Sequence, residues 1–111
     1  MMCREPKKQI VITAQANEFF MSLPLPMFVD FNRAIQQLAK CGRLGIPDAK
    51  KIGDNLFELR VRADGKQGRA FYCYTIVGNV IYILNGFIKK TQRTPKQEIK
   101  KARAIMKGLG L

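Results

Sequence analysis

Leu56-Phe57-Glu58-Leu59-Arg60-Val61-Arg62 is the stretch that decides the fold. Phe57, Leu59 and Val61 fall on one side of an extended chain, and Glu58, Arg60 and Arg62 fall on the other. That is the period-two pattern of a strand with one face on a core. Two further strands follow closely. Asp64-Gly65-Lys66-Gln67-Gly68 reads as a turn, Arg69 to Val77 as the next strand, Gly78-Asn79 as a tight hairpin turn, and Val80 to Ile88 as the last strand. The result is a meander of three antiparallel strands.

Upstream, Lys8 to Thr13 is rich in β-branched residues and reads as a short first strand. Ala14 to Leu23 reads as a short helix with Phe19, Phe20 and Leu23 inward, ended by Pro24 and Pro26. Met27 to Cys41 reads as a second helix. Its Phe28, Phe31, Ile35 and Leu38 share one face, and Gly42 stops it. Arg43 to Asn55 contains Gly45, Pro47 and Gly53 and reads as a loop carrying Lys50 and Lys51. Downstream, Thr94-Pro95-Lys96-Gln97 is a helix start with a capping box. The last helix runs to about Lys107, with Ile99, Ala102 and Met106 as its apolar stripe. The order β-α-α-β-β-β-α predicts an α+β fold of two layers, an antiparallel sheet with helices packed on one face. The other face is left partly open and carries Arg60 and Arg62. No repeat, low-complexity tract or linker interrupts the chain, so residues 1–111 are read as one domain.

Twenty Lys and Arg face eight Asp and Glu, a net charge of +12, in a chain of ordinary apolar content. The imbalance is local. Residues 1–55 hold eight basic and five acidic side chains, a net of +3, and residues 56–111 hold twelve and three, a net of +9. Such a surface meets a polyanion, and nucleic acid is the first candidate. No apolar run approaches the roughly 18 residues of a membrane span. No signal-like apolar stretch precedes Pro6, so a cytoplasmic protein without a membrane partner is expected. Cys3, Cys41 and Cys73 have no metal-ligand spacing and are odd in number, which reads as free thiols packed as small hydrophobes. The chain has no histidine. Catalysis must therefore use Lys, Arg, Tyr or a carboxylate.

Arg60 and Arg62 leave the same strand face, Arg69 opens the neighbouring strand, and Lys89 and Lys90 end the third. As the first residue of its strand, Arg69 is expected to reach the open face without entering the core. Guanidinium forks hold phosphate oxygens in pairs, and lysines act as point charges. Tyr72, Tyr74 and Tyr82 interleave with these cations; they either stack on bases or belong to the core. These parts suffice for cleavage of RNA, which carries its own nucleophile in the 2′-hydroxyl. Guanidiniums would stabilise charge on the phosphate, and a lysine of lowered pKa or a tyrosine would move the proton. No cluster of Asp and Glu suggests a metal, so no cofactor is expected.

One series of motifs ties these features together: Leu56 to Arg62, Gly68-Arg69-Ala70-Phe71-Tyr72, then Ile81 through Phe87-Ile88-Lys89-Lys90-Thr91-Gln92-Arg93-Thr94-Pro95, then Glu98 and Ala102. It resembles the RelE/HigB superfamily of type II toxins, in its phage-derived HigB-like branch, over about residues 50–105. The resemblance implies a RelE-like, microbial ribonuclease-type fold. It implies the toxin of a toxin–antitoxin system, a metal-independent endoribonuclease (mRNA interferase) that cuts mRNA on the ribosome and is silenced by a helix-turn-helix antitoxin. It carries over Arg60, Arg69 and Lys89 as catalytic, and Lys51, Arg62, Tyr72, Lys90 and Arg93 as RNA- or phosphate-binding. The chain departs from the family in lacking histidine and any aromatic after Phe87; Asn85 stands where relatives carry histidine. A sheet tyrosine or a lysine must then carry the proton. Two alternatives stand beside this reading: a ParE-like, gyrase-poisoning toxin of the same fold, and a nucleic-acid-binding module without activity. The arginines on successive strands favour the nuclease.

Overall fold

The structure is a computed structural model that describes residues 7–45, 47–75, 77–90 and 95–111. Its elements are β1 (Gln9–Ile12), α1 (Ala14–Met21), α2 (Leu25–Cys41), β2 (Ala49–Gly53), β3 (Leu56–Ala63), β4 (Lys66–Tyr74), β5 (Val80–Lys89) and α3 (Lys96–Gly108). They form one five-stranded sheet in the order β1-β5-β4-β3-β2. β1 runs parallel to β5, and the other neighbours are antiparallel. No helix among the described residues is long and apolar enough to cross a membrane.

The α+β class and the meander stand as expected, with three differences in detail. First, the expected loop contains β2, which pairs with β3. Its Lys50 and Lys51 are exposed, and Gly53 sits at a register shift, so the strand lacks the apolar alternation that would mark it. Second, Pro24 and Pro26 do not merely end α1. Pro24 is the N-cap residue of α2 and Pro26 lies in its first turn, where a missing N–H costs nothing. Third, the helices do not share one face. α1 and α2 cover the first face, packing Phe20, Met27, Phe31, Ile35 and Leu38 against Leu59, Val61, Ala70, Tyr72, Ile81 and Ile83. α3 packs Ala102 and Met106 on the second face, over Leu56, Phe71, Cys73, Leu84 and Phe87. The reason lies in β4, whose residues Gly68 to Cys73 are buried without interruption. A central strand covered on both faces reads as a continuous run rather than an alternation.

Local signals fix the helix ends. Thr13 caps α1 by accepting from the Ala16 N–H at 3.2 Å, and its hydroxyl donates to the Leu84 carbonyl on β5. Gly42 ends α2 at φ 79°, a left-handed conformation that glycine adopts without steric cost. Pro95 stands at the start of α3, and the expected cap Thr94 lies outside the described residues. Cys73 is a free, buried thiol, whereas Cys41 is disulfide-bonded, so the cysteines do not share the free state expected of them.

A bulge in β5 decides what the second face carries. Phe71 pairs with Asn85 but Tyr72 pairs with Ile83, leaving Leu84 as an extra residue. An extra residue reverses the inward and outward sense of the strand beyond it. Ile81 and Ile83 therefore face α1 and α2, while Phe87 packs on the second face. Lys89, opposite Gln67, follows Phe87 to that side.

Candidate nucleic-acid interface

α3 leaves the end of the second face nearest the β3–β4 turn uncovered among the described residues. Residues directly opposite one another across strands share a face. Arg60 stands opposite Arg69, Arg62 opposite Gln67, and Lys50 opposite Glu58. Arg69 is opposite Phe87, and Gln67 opposite Lys89. Five cations from four strands are thus gathered around one buried acid. Pro47, Asp48, Arg60, Arg62, Gln67 and Arg69 line a cleft of about 410 Å³ above them.

Glu58 anchors the cluster. Its side chain is 0% exposed, and its Oε1 accepts from the Arg60 Nε at 3.1 Å. The Arg69 Nε lies 3.5 Å from the same oxygen, an ion-pair contact without a hydrogen bond. Arg69 is not the surface residue expected at a strand start. β4 begins three residues earlier, at Lys66, so Arg69 lies inside the strand with its side chain only 8% exposed. Its Nη1 donates to the Gly68 carbonyl at 3.0 Å and its Nη2 to the Gln67 Oε1 at 2.7 Å. Burial lowers its pKa most; Glu58 opposes that shift, and Arg60 and Arg62 reinforce it. Lys89 is also held below the ordinary lysine value, first by desolvation, then by Arg69 against Glu58, with Arg60 and Lys50 adding to the repulsion.

The expected site residues divide accordingly. Arg60, Arg62, Arg69 and Lys89 come together. Lys51 does not: it pairs with Phe57 and so belongs to the α2 side, while Lys50 takes the cluster side. Tyr72 is 1% exposed inside the first core, stacked on Phe57 at 5.4 Å between ring centroids, and cannot stack on a base there. Burial, then Tyr74, pushes its phenol well above the usual tyrosine range. Tyr74 donates its hydroxyl to the Gly42 carbonyl, and Tyr82 packs against the core under α3. No tyrosine therefore lines the cleft, and Lys89 is the lysine of β5 that lies on the arginine side of the sheet. Lys90 is exposed at the end of β5, on the rim of a second cleft with Lys66 and Lys89. Arg93 lies outside the described residues. Lys50 and Gln67 were not anticipated. Strand pairing, which a single chain pattern does not reveal, is what brings them in.

Solved structures of RelE toxins, free or with an antitoxin, share the topology. The free E. coli toxin RelE, in a variant with two arginines replaced by alanine, matches with a TM-score of 0.67 at 9% identity, covering 89% of this chain and 97% of that one. The toxin–antitoxin complex RelBE2 of Mycobacterium tuberculosis matches with a TM-score of 0.59 at 15% identity, covering 76% and 100%. The archaeal RelE–RelB complex of Pyrococcus horikoshii matches with a TM-score of 0.54 at 22% identity, covering 80% and 100%. The fold is thus of the RelE class. Residues 18–107 match the family described as Phage derived protein Gp49-like (DUF891), and the chain belongs to that family. A search of curated proteins finds no match.

Proposed function

We propose that this chain is the toxin of a type II toxin–antitoxin pair, acting as a single domain in the cytoplasm as a metal-independent endoribonuclease on ribosome-bound mRNA. The observation that carries the reading is the cross-strand pair Arg60 and Arg69, flanked by Arg62 and Lys89, with a cleft at the end of the second sheet face that α3 leaves uncovered among the described residues. A phosphodiester seated there meets several positive charges and one internal acid. The 2′-hydroxyl of the RNA gives up its proton to solvent as its oxygen attacks phosphorus, the bond to the 5′-oxygen breaks, and a 2′,3′-cyclic phosphate forms. The guanidiniums of Arg60 and Arg62 stabilise the charge that builds on the phosphate oxygens, usually the largest catalytic term. Lys89, with its lowered pKa, donates the proton that the leaving 5′-oxygen requires. Lys90 lies where the strand would continue along the rim, and Lys50 replaces Lys51 as the β2 cation nearest the cleft.

The RelE neighbours from M. tuberculosis and P. horikoshii were solved as toxin–antitoxin complexes, which supports an antitoxin partner for this chain. The helix-turn-helix class of that partner rests on the sequence resemblance. The test is induced expression without an antitoxin, followed by labelled amino-acid and thymidine incorporation and mapping of mRNA ends. Translation is expected to stop first, with cuts in translated messages, and Arg60→Ala and Lys89→Ala are expected to abolish both effects. Replication failing first, with gyrase-trapped DNA breaks, would replace the nuclease by a gyrase poison. RNA binding without growth arrest would leave a non-catalytic module.

A further inference from the structure

The two arginines opposite each other are not equivalent, and the difference runs through Glu58. Two guanidiniums facing across a strand pair repel. A fully buried carboxylate costs stability unless it is paired. Each problem resolves the other here, because one carboxylate oxygen meets the Nε of both arginines. What remains of each guanidinium then differs. Both terminal nitrogens of Arg69 are used inside the protein, on the Gly68 carbonyl and the Gln67 amide oxygen. Those of Arg60 make no hydrogen bond among the described residues. The Arg60 side chain is 27% exposed and lines the cleft. Holding a planar guanidinium by its Nε fixes the plane and leaves the two-pronged end free for an oxyanion.

We propose that Glu58 is the positioning residue of this site, holding Arg60 by its Nε with its terminal nitrogens toward a phosphate in the cleft, while Arg69 locks the carboxylate instead of meeting the phosphate. The inference deepens the nuclease reading, and its kinetic arm rests on that reading. Glu58 acts by taking away the freedom of Arg60, so its effect falls on the orientation of the bound phosphate more than on encounter with RNA.

The experiment uses the whole chain, with Glu58→Gln, Arg60→Lys and the double variant, each checked by thermal melt. Arginine Nε–H signals are followed by NMR during titration with inorganic phosphate. In the wild type, a slowly exchanging Arg60 signal should move with phosphate while that of Arg69 stays still. In Glu58→Gln the Arg60 signal should exchange rapidly and lose its response. In the ribosome-dependent cleavage assay, Glu58→Gln should lower kcat by about 10- to 100-fold with little change in KM, a part of the roughly 100- to 1000-fold given by a whole oxyanion donor. In the Arg60→Lys background it should add almost nothing. If Glu58→Gln does not fold, Glu58→Asp takes its place: the carboxylate stays but is one methylene short of the Arg60 Nε, so the Arg60 signal should exchange rapidly, lose its phosphate response, and kcat should fall. A phosphate response at Arg69, an ordered and responsive Arg60 in Glu58→Gln, full activity of Arg60→Lys, or additive losses in the double variant would each overturn the assignment. If the wild type binds phosphate at Arg60 but cuts no RNA, the nuclease reading fails and the assignment of Glu58 as an anion-site positioner stands.

Discussion

Replacing Arg69 by alanine tests whether this arginine belongs to the core or to the surface. The substitution removes, of the two cations that meet the fully buried Glu58 carboxylate among the described residues, the more buried one, together with two hydrogen bonds to Gly68 and Gln67. Breaking a buried ion pair by deleting one partner costs about 3–5 kcal/mol. Arg60 remains 3.1 Å from Glu58 and takes up part of the loss, which places the expectation near the lower bound. At roughly 4 °C per kcal/mol for a domain of this size, about 3 kcal/mol lowers Tm by about 12 °C. Arg60→Ala leaves Arg69 in place and removes a partly exposed side chain, so about 1–2 kcal/mol is expected for the charged hydrogen bond lost. Arg62→Ala removes an exposed charge and should stay within about 0.5 kcal/mol. The assay is urea unfolding of the three variants beside the wild type, with thermal melts as a second probe. The decisive quantity is the order, Arg69 above Arg60 above Arg62. A folded Arg69→Ala variant as stable as the wild type would show that Glu58 does not depend on Arg69, and the argument from buried charge would fail.

Further outcomes follow from the same geometry. If Lys89 is the acid, its protonated form is the active one, and cleavage should fall as pH rises through a value below the ordinary 10.5; Lys89→Arg should remove that limb. Because its folded value lies below its unfolded one, the unfolded chain holds the proton more tightly, so the stability contribution of Lys89 improves as pH rises through that window. Gly86→Ala should destabilise by about 1–3 kcal/mol in urea unfolding, because the added Cβ would overlap the Phe19 ring and lie 2.9 Å from the Arg69 carbonyl oxygen, a backbone atom with little room to move. Binding of single-stranded RNA should weaken with salt at a slope near −0.7 per neutralised phosphate, and Arg62→Ala should reduce the slope by about one such step; an unchanged slope would remove Arg62 from the contact surface. Burial pushes the Cys73 thiol up to about 11, with Arg103 opposing, so alkylation near neutral pH should await unfolding; rapid labelling of the native protein would contradict its placement under α3.

The sequence was most legible where its pattern and its pairing coincide. β3 alternates cleanly, so Arg60 and Arg62 could be assigned to one face before any partner strand was known. α2 was legible from Phe31, Ile35 and Leu38, which do bury together. β2 was hidden by its two exposed lysines and by Gly53, and deciding which lysine shares the face of Glu58 required its register against β3. Tyr72 was misplaced for a different reason. Aromatic residues between cations suit a base-stacking surface and a core equally well, and only the position of α2 over β4 decides between them. The burial of Arg69 was not legible, because an arginine next to a glycine looks like a strand beginning. Its pairing with Arg60, and the buried Glu58 between them, become visible only when β3 and β4 are set side by side.

The bulge at Leu84 shows why the candidate site depends on more than its charged residues. In a regular β5, Lys89 would lie on the same side as Ile81 and Ile83, under α1 and α2 and on the opposite face from Glu58. One extra residue reverses the strand and sends Phe87 to the second core and Lys89 to the arginines. The same reversal turns Gly86 toward Phe19, and there the absence of a side chain lets helix α1 approach β5 closely. Close packing on the first face and a gathered set of cations on the second are therefore two consequences of one irregularity. Since burial and neighbouring cations both hold the pKa of Lys89 down, the device that positions this lysine also makes it a readier proton donor. The chemical capacity of the cleft thus follows from strand register, with Glu58 allowing like charges to share a face that would otherwise repel them.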